Sequence, residues 1–339
     1  MTLKVSIYGL GNFGYALLKH LDNKQDKNFE IFAYDRNKKL MNNFIKNKKH
    51  LYLHRSIKIS DKIIFVDKIS TLLKNCDVLI LAINSDSTRE VIKKINKFIP
   101  ENIIIINTAK AIDYKTGKRL SEIFSKNMLT SKFSYAVLAG GTIAKDLFHH
   151  EPLGADIACK NLKSLKILKN LFDAPNLKIS TTNDLTGVEY AAAFKNVIAI
   201  MAGIINGMKF SFGSETHMIS RSAYEIQKII LKRGGNKNTF ETNSQSWTND
   251  LWMSCMGKSR NREFGILLGQ GKKINNVFSI MKKERKTIEG INTLKGIHES
   301  KISSEYPLLN FLYRLIIEKT TNITELKEII FSHQSEFEK

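Results

Sequence analysis

Cysteine is scarce in this chain, with three in 339 residues. Cys76, Cys159 and Cys255 lie far apart. They fit no metal-ligand spacing and leave one over from any pairing. No metal site and no disulfide framework is therefore expected, and reduced thiols in a cytoplasmic protein are the simplest account. Long uninterrupted apolar runs are also missing. The nearest approach to a membrane span, Ala191–Met208, is broken by Lys195, Asn196 and Asn206, so no span is expected. The first apolar run, Val5–Tyr8, leads straight into a glycine loop, which is not the shape of a signal peptide. Low-complexity linkers and internal repeats are absent as well.

What is abundant is lysine. The formal net charge is +21, from 53 Lys and Arg against 32 Asp and Glu. The lysines are spread along the whole chain and are not massed in one arm with interleaved aromatics. The excess therefore reads as compositional bias, compatible with phosphorylated small molecules, and no nucleic-acid partner is expected. The chain is 42% hydrophobic and 25% charged, ordinary for a globular protein and long enough for two cores.

The first half alternates strands and helices. Strands are expected at Lys4–Tyr8, Phe29–Tyr34, Asp77–Ile83, Ile103–Asn107 and Ser134–Leu138, with shorter ones at Ala155–Ala158 and Leu177–Ser180. Helices are expected at Asn12–Leu21, Lys38–Lys48, Ser87–Phe98 and Leu162–Phe172. This alternation predicts an α/β fold, a Rossmann-type doubly wound, mostly parallel sheet over residues 1–183. After Asn183 strand signals vanish, and long helical periodicities predict an all-α domain over 184–339. The helices expected there are Thr186–Gly207, His217–Arg233, Asn261–Leu268, Lys286–Ser300, Pro307–Lys319 and Ile323–Ser332.

Gly9-Leu-Gly11-Asn-Phe-Gly14 follows the first strand and opens the first helix. A G-x-G-x-x-G run in that context permits a tight turn, close approach of backbone to a pyrophosphate, and tight helix–strand packing. Asp35 ends the second strand, where a ribose-binding acid belongs, and points to NAD. Arg36 follows it, with Lys38 and Lys39 nearby, and suits the 2′-phosphate of NADP. Both cofactors stay open.

Lys195 is the only charge in the apolar run Ala191–Met208. Val188, Ala191, Ala192, Ala199, Ala202 and Asn206 share its helical stripe, a surrounding expected to desolvate the ammonium and tune it for proton transfer. The alternative is an ion pair or a snorkelling side chain, with Glu189 or Asp250 as partner. Lys110 follows a buried strand at its carboxyl end, where ligands of such sheets bind. Gly140, Gly141 and Thr142 end another strand and open a short helix, with Thr142 as a cap or a ligand contact. Ser259 is a candidate N-cap, and Arg260 and Asn261 behind it have the make-up of a phosphate clamp. Asp250 is placed to orient a lysine or a substrate hydroxyl.

These segments stand in one order, and in that order the chain resembles the bacterial NAD(P)-dependent glycerol-3-phosphate dehydrogenase family over nearly its full length. The matching runs are GLGNFG at Gly9, NTAKAID at Asn107, AGGTIAKDL at Ala139, TGVEYAAAFKNVIAIMAGIINGM at Thr186, SRNREFGILLGQGK at Ser259 and IEGINTLKGIHE at Ile288. The resemblance implies that Lys195 is the catalytic acid/base. It implies that Lys110, Gly140, Thr142, Asp250, Ser259, Arg260 and Asn261 hold glycerol phosphate. It assigns Asn12, Phe13, Arg36, Lys110, Ala144, Arg260 and Glu289 to the cofactor, beside Gly9, Gly11, Gly14 and Asp35. Two departures stand out. The family usually has Ser-Gly-Pro-Ser at Ala139–Thr142 and a glycine-rich Gly-Leu-Gly-Asp run at Trp247–Asp250.

The expected activity is reversible, NAD(P)H-dependent reduction of dihydroxyacetone phosphate to sn-glycerol 3-phosphate, supplying glycerophospholipid synthesis. Lys195 would stabilise the charge that develops on the carbonyl oxygen and donate its proton. A homodimer is compatible with this reading. The competing enzyme reading is a related two-domain reductase of the ketopantoate reductase or β-hydroxyacid dehydrogenase type, whose substrates carry a carboxylate in place of the phosphate. A third is a dinucleotide-binding sensor without turnover, against which the set Lys110, Lys195 and Arg260 argues.

Overall fold

A computed structural model of the chain describes residues 2–24, 28–130, 132–284, 286–299 and 306–332. The chain forms two compact units, Met1–Ala109 with Leu120–Val188, and Lys110–Arg119 with Glu189–Lys339. One cut between 183 and 184 therefore misses an exchange: the short segment Lys110–Arg119 packs with the helical unit.

The first unit is an eight-stranded sheet in the order β3-β2-β1-β4-β5-β6-β7-β8. Its strands are β1 (Leu3–Tyr8), β2 (Phe29–Tyr34), β3 (Ile63–Phe65), β4 (Val78–Leu81), β5 (Ile103–Asn107), β6 (Phe133–Ala139), β7 (Leu153–Cys159) and β8 (Leu177–Thr182). All neighbours run parallel except β6 and β7. The doubly wound, mostly parallel expectation holds. Strands β4 and β5 are buried at every position, because helices cover both faces of such a sheet and only continuous apolar runs suit it. Strand β1 lies between β2 and β4, with Val5 opposite both Ile31 and Val78. The carboxyl end of β1 is thus where the strand order reverses, the place such sheets bind ligands. Around the sheet run α1 (Asn12–Lys24), α2 (Lys38–Asn47), α3 (Ile69–Leu73), α4 (Thr88–Ile95), α5 (Leu120–Asn127), α6 (Ala144–Phe148) and α7 (Leu162–Phe172). The three-residue β3, the five-residue α3 and the eight-residue α5 were not expected. The first two are too short to show a period.

The second unit is helical. It contains α8 (Leu185–Gly207, its first four residues in the first unit), α9 (Phe212–Lys232), α10 (Asp250–Met256), α11 (Arg260–Gly269), α12 (Ile274–Lys283), α13 (Glu289–Glu299), α14 (Pro307–Tyr313) and α15 (Ile323–Ser332). Helix α8 is long and apolar enough to cross a membrane, yet its most apolar window is wholly buried; it is the core around which the others pack. Four glycines fix its closest neighbour. A Cβ on Gly203 would fall 2.0 Å from the Arg262 carbonyl oxygen, and one on Gly265 2.1 Å from that of Ile200. Gly207 and Gly269 meet Ile266 and Ile204 in the same way. The backbones of α8 and α11 touch, and only hydrogen side chains permit it.

Some boundaries differ from the sequence reading. Helix α9 starts at Phe212, five residues before His217, because the Ser211 side chain accepts from the Ser214 N–H and caps it. The span expected from Lys286 becomes helical only at Glu289, and Ser300 lies outside the described residues. Helices α10 and α12 were missed. Beyond α14 the chain widens into a π-type turn, Arg314–Glu318, which ends at left-handed Lys319.

Candidate active site

The glycine loop is built from backbone. Gly9 has φ +102°, a conformation that favours glycine. A Cβ there would sit 2.4 Å from the Ala82 carbonyl oxygen, and one on Gly14 only 1.9 Å from that of Gly9. These two glycines serve packing. Gly11 is different: it is exposed, and a Cβ there would meet nothing within 4 Å. The loop therefore offers bare backbone to an open side, beside exposed Asn12 and half-buried Phe13 at the start of α1. A pyrophosphate fits such a cradle, with the helix N-terminus favouring its charge. The Asp35 carboxylate accepts from the Leu10 N–H at 2.8 Å and the Asn37 N–H at 2.8 Å, so the acid also ties the loop to the end of β2. Arg36 is exposed.

The Ala139–Thr142 turn differs from a simple capped start. The position before α6 is Ile143, which makes no side-chain cap. Thr142 is buried, and its N–H reaches the Gly140 carbonyl at 2.7 Å. Gly140, with φ +157°, packs so tightly that a Cβ would lie 2.7 Å from Ala155 Cα on β7. Thr142 is thus held by the turn and does not cap α6. Ala144 is the first residue of α6 and half-buried.

In the helical unit, side chains make the site. Asp250, with its side chain fully buried, takes two ammonium groups on one carboxylate. Lys195 Nζ lies 2.5 Å from Oδ1 and Lys110 Nζ 2.8 Å from Oδ2. Lys195 Nζ also donates to Ser254 Oγ at 2.7 Å. Asp250 and Ser254 are four apart on α10 and therefore share a helix face. Lys195 is thus held by Asp250, whereas Glu189 pairs with Arg119 at 3.4 Å. An ammonium has three N–H donors; two on Lys195 have these partners, and among the described residues the third has none. Burial pulls the Lys110 ammonium below its ordinary pKa, while Asp250 draws it up and Lys195 presses it down again.

A chain of amides runs on from this cluster. Asn196, next to Lys195, donates to the Lys110 carbonyl at 3.4 Å and to Glu289 at 3.3 Å. It accepts from Asn261 at 3.0 Å, and Asn261 accepts in turn from the Gly290 N–H at 3.0 Å. Ser259 caps α11 through the Arg262 N–H, as expected. Arg260, half exposed, lies 3.4 Å from Glu289. The structure thus gathers Lys110, Lys195, Asp250, Ser259, Arg260, Asn261 and Glu289 in one unit, and Gly9, Gly11, Asn12, Phe13, Gly14, Asp35, Arg36, Gly140, Thr142 and Ala144 in the other. Ser254 and Asn196 were not read from the sequence. The Asp250-x-x-x-Ser254 spacing was the available signal, hidden because α10 itself went unrecognised.

The three cysteines are free and buried, and burial pushes Cys76 up to about 11 and Cys255 up to about 12. Among the described residues no cluster of His, Cys, Asp or Glu is arranged to hold a metal ion.

A glycine loop at the reversal point of a mostly parallel sheet, followed by a helical unit with two lysines on one buried carboxylate, defines a dinucleotide-binding oxidoreductase class. Comparison with known proteins narrows it. The profile of the NAD-dependent glycerol-3-phosphate dehydrogenase N-terminus matches residues 4–165, and that of the C-terminus matches 184–327. The chain belongs to this family. The glycerol-3-phosphate dehydrogenase [NAD(P)+] of Syntrophobacter fumaroxidans is 30% identical over 341 residues, 98% of this chain and 97% of that one. A Plasmodium falciparum glycerol-3-phosphate dehydrogenase structure superposes with TM-score 0.88 at 21% identity, covering 98% of this chain and 96% of the other. A ketopantoate reductase from Ralstonia eutropha gives TM-score 0.54 at 13% identity over 90% of this chain and all of the other, a likeness of fold alone.

Proposed function

We infer that the chain reduces dihydroxyacetone phosphate reversibly to sn-glycerol 3-phosphate with NAD(P)H. The observation that carries the chemistry is the Asp250 carboxylate with two ammonium groups on it, both lysines lying in segments matched by the family. When bound, the reduced nicotinamide supplies a hydride. Lys195 keeps a donor for the substrate's carbonyl oxygen, stabilises the negative charge there and gives it a proton. Asp250 and Ser254 hold that ammonium in place, so its remaining N–H has a fixed direction. Two ammonium groups on one carboxylate leave a net positive charge, which favours an oxyanion over a neutral carbonyl.

Gly140, Thr142, Lys110, Ser259, Arg260 and Asn261 are the residues we assign to the phosphorylated substrate. Arg260 stands at the N-terminus of a ten-residue helix, where guanidinium and helix dipole favour phosphate together. Gly9, Gly11, Asn12, Phe13, Gly14, Asp35, Arg36, Lys110, Ala144, Arg260 and Glu289 are assigned to the cofactor. The carboxylate-substrate alternative is weaker, because both profiles and the full-length relative are those of glycerol-3-phosphate dehydrogenases. The deciding assay follows loss of reduced-nicotinamide absorbance with NADH and with NADPH. Turnover of dihydroxyacetone phosphate well above that of ketopantoate is expected, and the reverse order would overturn the assignment. The reading carries a cytoplasmic location and a role in glycerophospholipid synthesis, which cell fractionation and lipid labelling in a depleted strain would test. It also admits a homodimer, to be sought by light scattering.

A further inference from the structure

Leu10 lies buried between Gly9 and Gly11 in the glycine loop, and both polar groups of its backbone have side-chain partners. Its N–H donates to Asp35 at 2.8 Å. Its carbonyl accepts from His50 Nε2 at 2.9 Å. The second partner comes from the segment after α2, forty residues further along the chain. That segment is itself anchored: the Asn43 side chain donates to the Lys49 carbonyl, and the Ile59 N–H to the Lys48 carbonyl.

The protonation of His50 follows from its other nitrogen. Nδ1 accepts from the Tyr52 and Leu53 N–H groups, each at 3.0 Å. Two donors facing Nδ1 leave no room for a proton there, so the neutral ring carries its proton on Nε2, aimed at Leu10. The ring is buried, with its centroid 4.8 Å from Tyr15 and 5.5 Å from Phe44. Burial holds His50 below its ordinary pKa, as does His54, against the Leu10 carbonyl and Asp35. It is a buried donor fixed on the loop's backbone at Leu10.

We propose that His50 is a positioning residue for the dinucleotide: it clamps the Leu10 carbonyl, opposite Asp35, and so holds the loop's N–H groups toward the pyrophosphate. With that carbonyl unpaired, Leu10 would keep Asp35 as its one side-chain partner and, beyond Gly9, which stays tied to the Tyr34 carbonyl, the loop would present its donors in a spread of directions. Nothing in the G-x-G-x-x-G run itself supplies this restraint.

The imidazole's two nitrogens can be tested separately. His50→Gln places an amide N–H where Nε2 stood, and His50→Asn an amide oxygen where Nδ1 stood. NADH and NADPH binding, read by fluorescence titration without substrate, should be within about twofold of the unaltered protein for His50→Gln. For His50→Asn, Kd should rise about tenfold for both cofactors, the effect of one lost hydrogen bond to a buried carbonyl. Melting temperature and near-ultraviolet circular dichroism establish that each variant is folded. Equal weakening in both variants, or none in His50→Asn, overturns the proposal. The unaltered protein gives an independent reading: ¹⁵N spectra should show His50 as the Nε2–H tautomer at pH 7, and an Nδ1–H tautomer would overturn it. Because no substrate is present, failure of the substrate assignment would leave these results standing.

Discussion

The two units carry their proposed anion-binding residues on different material. In the sheet unit the binding surface is backbone, shaped by Gly9 and Gly14 against neighbouring carbonyls and left open at Gly11. In the helical unit it is side chain, with Asp250 buried between two lysines and a string of amides behind it. A backbone site needs particular residues at particular spacings along the chain. A side-chain site needs only that distant helices meet at the right height. The contrast teaches where each is vulnerable: the first to an added atom, the second to a removed charge.

The largest effect should come from Asp250. Asp250→Asn leaves two ammonium groups in a buried site without their carboxylate. Removing one partner of a buried pair costs about 3–5 kcal/mol, so chemical denaturation should show a loss of that order. Lys195→Ala, which removes the proposed donor, should lower kcat by about 10²–10⁴. It should change cofactor Kd far less than kcat, since Lys195 is not among the residues assigned to the cofactor. Near-normal turnover in Lys195→Ala would sink the mechanism. The two substitutions separate stability from chemistry within one ion cluster.

Next in size are two glycine substitutions that set the units against each other. Gly14→Ala puts a methyl 1.9 Å from the Gly9 carbonyl oxygen, and Gly203→Ala puts one 2.0 Å from that of Arg262. Overpacking of this kind costs about 1–3 kcal/mol, and more where backbone must move. The first should raise Kd for NADH and NADPH. The second should push α11 off α8 and shift Asn261 and Arg260 relative to Lys195, raising KM for dihydroxyacetone phosphate, with a smaller rise in cofactor Kd through Arg260 than Gly14→Ala gives. If Gly203→Ala raises cofactor Kd as much as Gly14→Ala does, the glycine loop is not the main holder of the dinucleotide.

How much of this could be read from the residues follows the same contrast. The strands Phe29–Tyr34 and Ile103–Asn107 are bounded as the apolar runs predict, because a buried parallel strand writes its limits in its composition. The glycine loop was legible for the same local reason. Lys195 was legible only as an anomaly: an alanine stripe shows that a charge is buried but not which acid, fifty-five residues away, meets it. Choosing Asp250 over Glu189 required knowing that α10 exists, and α10 is a seven-residue helix with no usable period. His50 was invisible, since a loop histidine declares nothing until the carbonyl it faces is known. Lys110 was read as a residue at the carboxyl end of a buried strand, yet the ten residues it begins pack with the helices.

A smaller effect concerns cofactor choice. Asp35 is braced by two backbone N–H groups, whereas Arg36 beside it is exposed. If Arg36 contacts the 2′-phosphate, Arg36→Ala should weaken NADPH about tenfold, the scale of one charge-assisted hydrogen bond, and leave NADH within twofold. Equal Kd changes for the two cofactors would remove Arg36 from the cofactor's phosphate.

The mildest expected effect is on acid stability, and it should fall on the sheet unit. His20 and His50 are both buried there, and burial holds each below the ordinary 6.5. The unfolded chain takes up protons near 6.5, whereas the native unit refuses them until a lower pH. Between those two points the unfolded state binds more protons, so stability falls as pH falls through that window and is fully present above it. Urea unfolding at pH 7.5 and 5.5 should show this loss, and His50→Gln, which cannot titrate, should lose less than the unaltered protein. Hydrogen exchange at the two pH values, corrected for intrinsic rates, should place the weakening in the sheet strands before α8 and α11. A loss that appears first in those helices would mean that the buried imidazoles of the sheet unit do not set the acid limit.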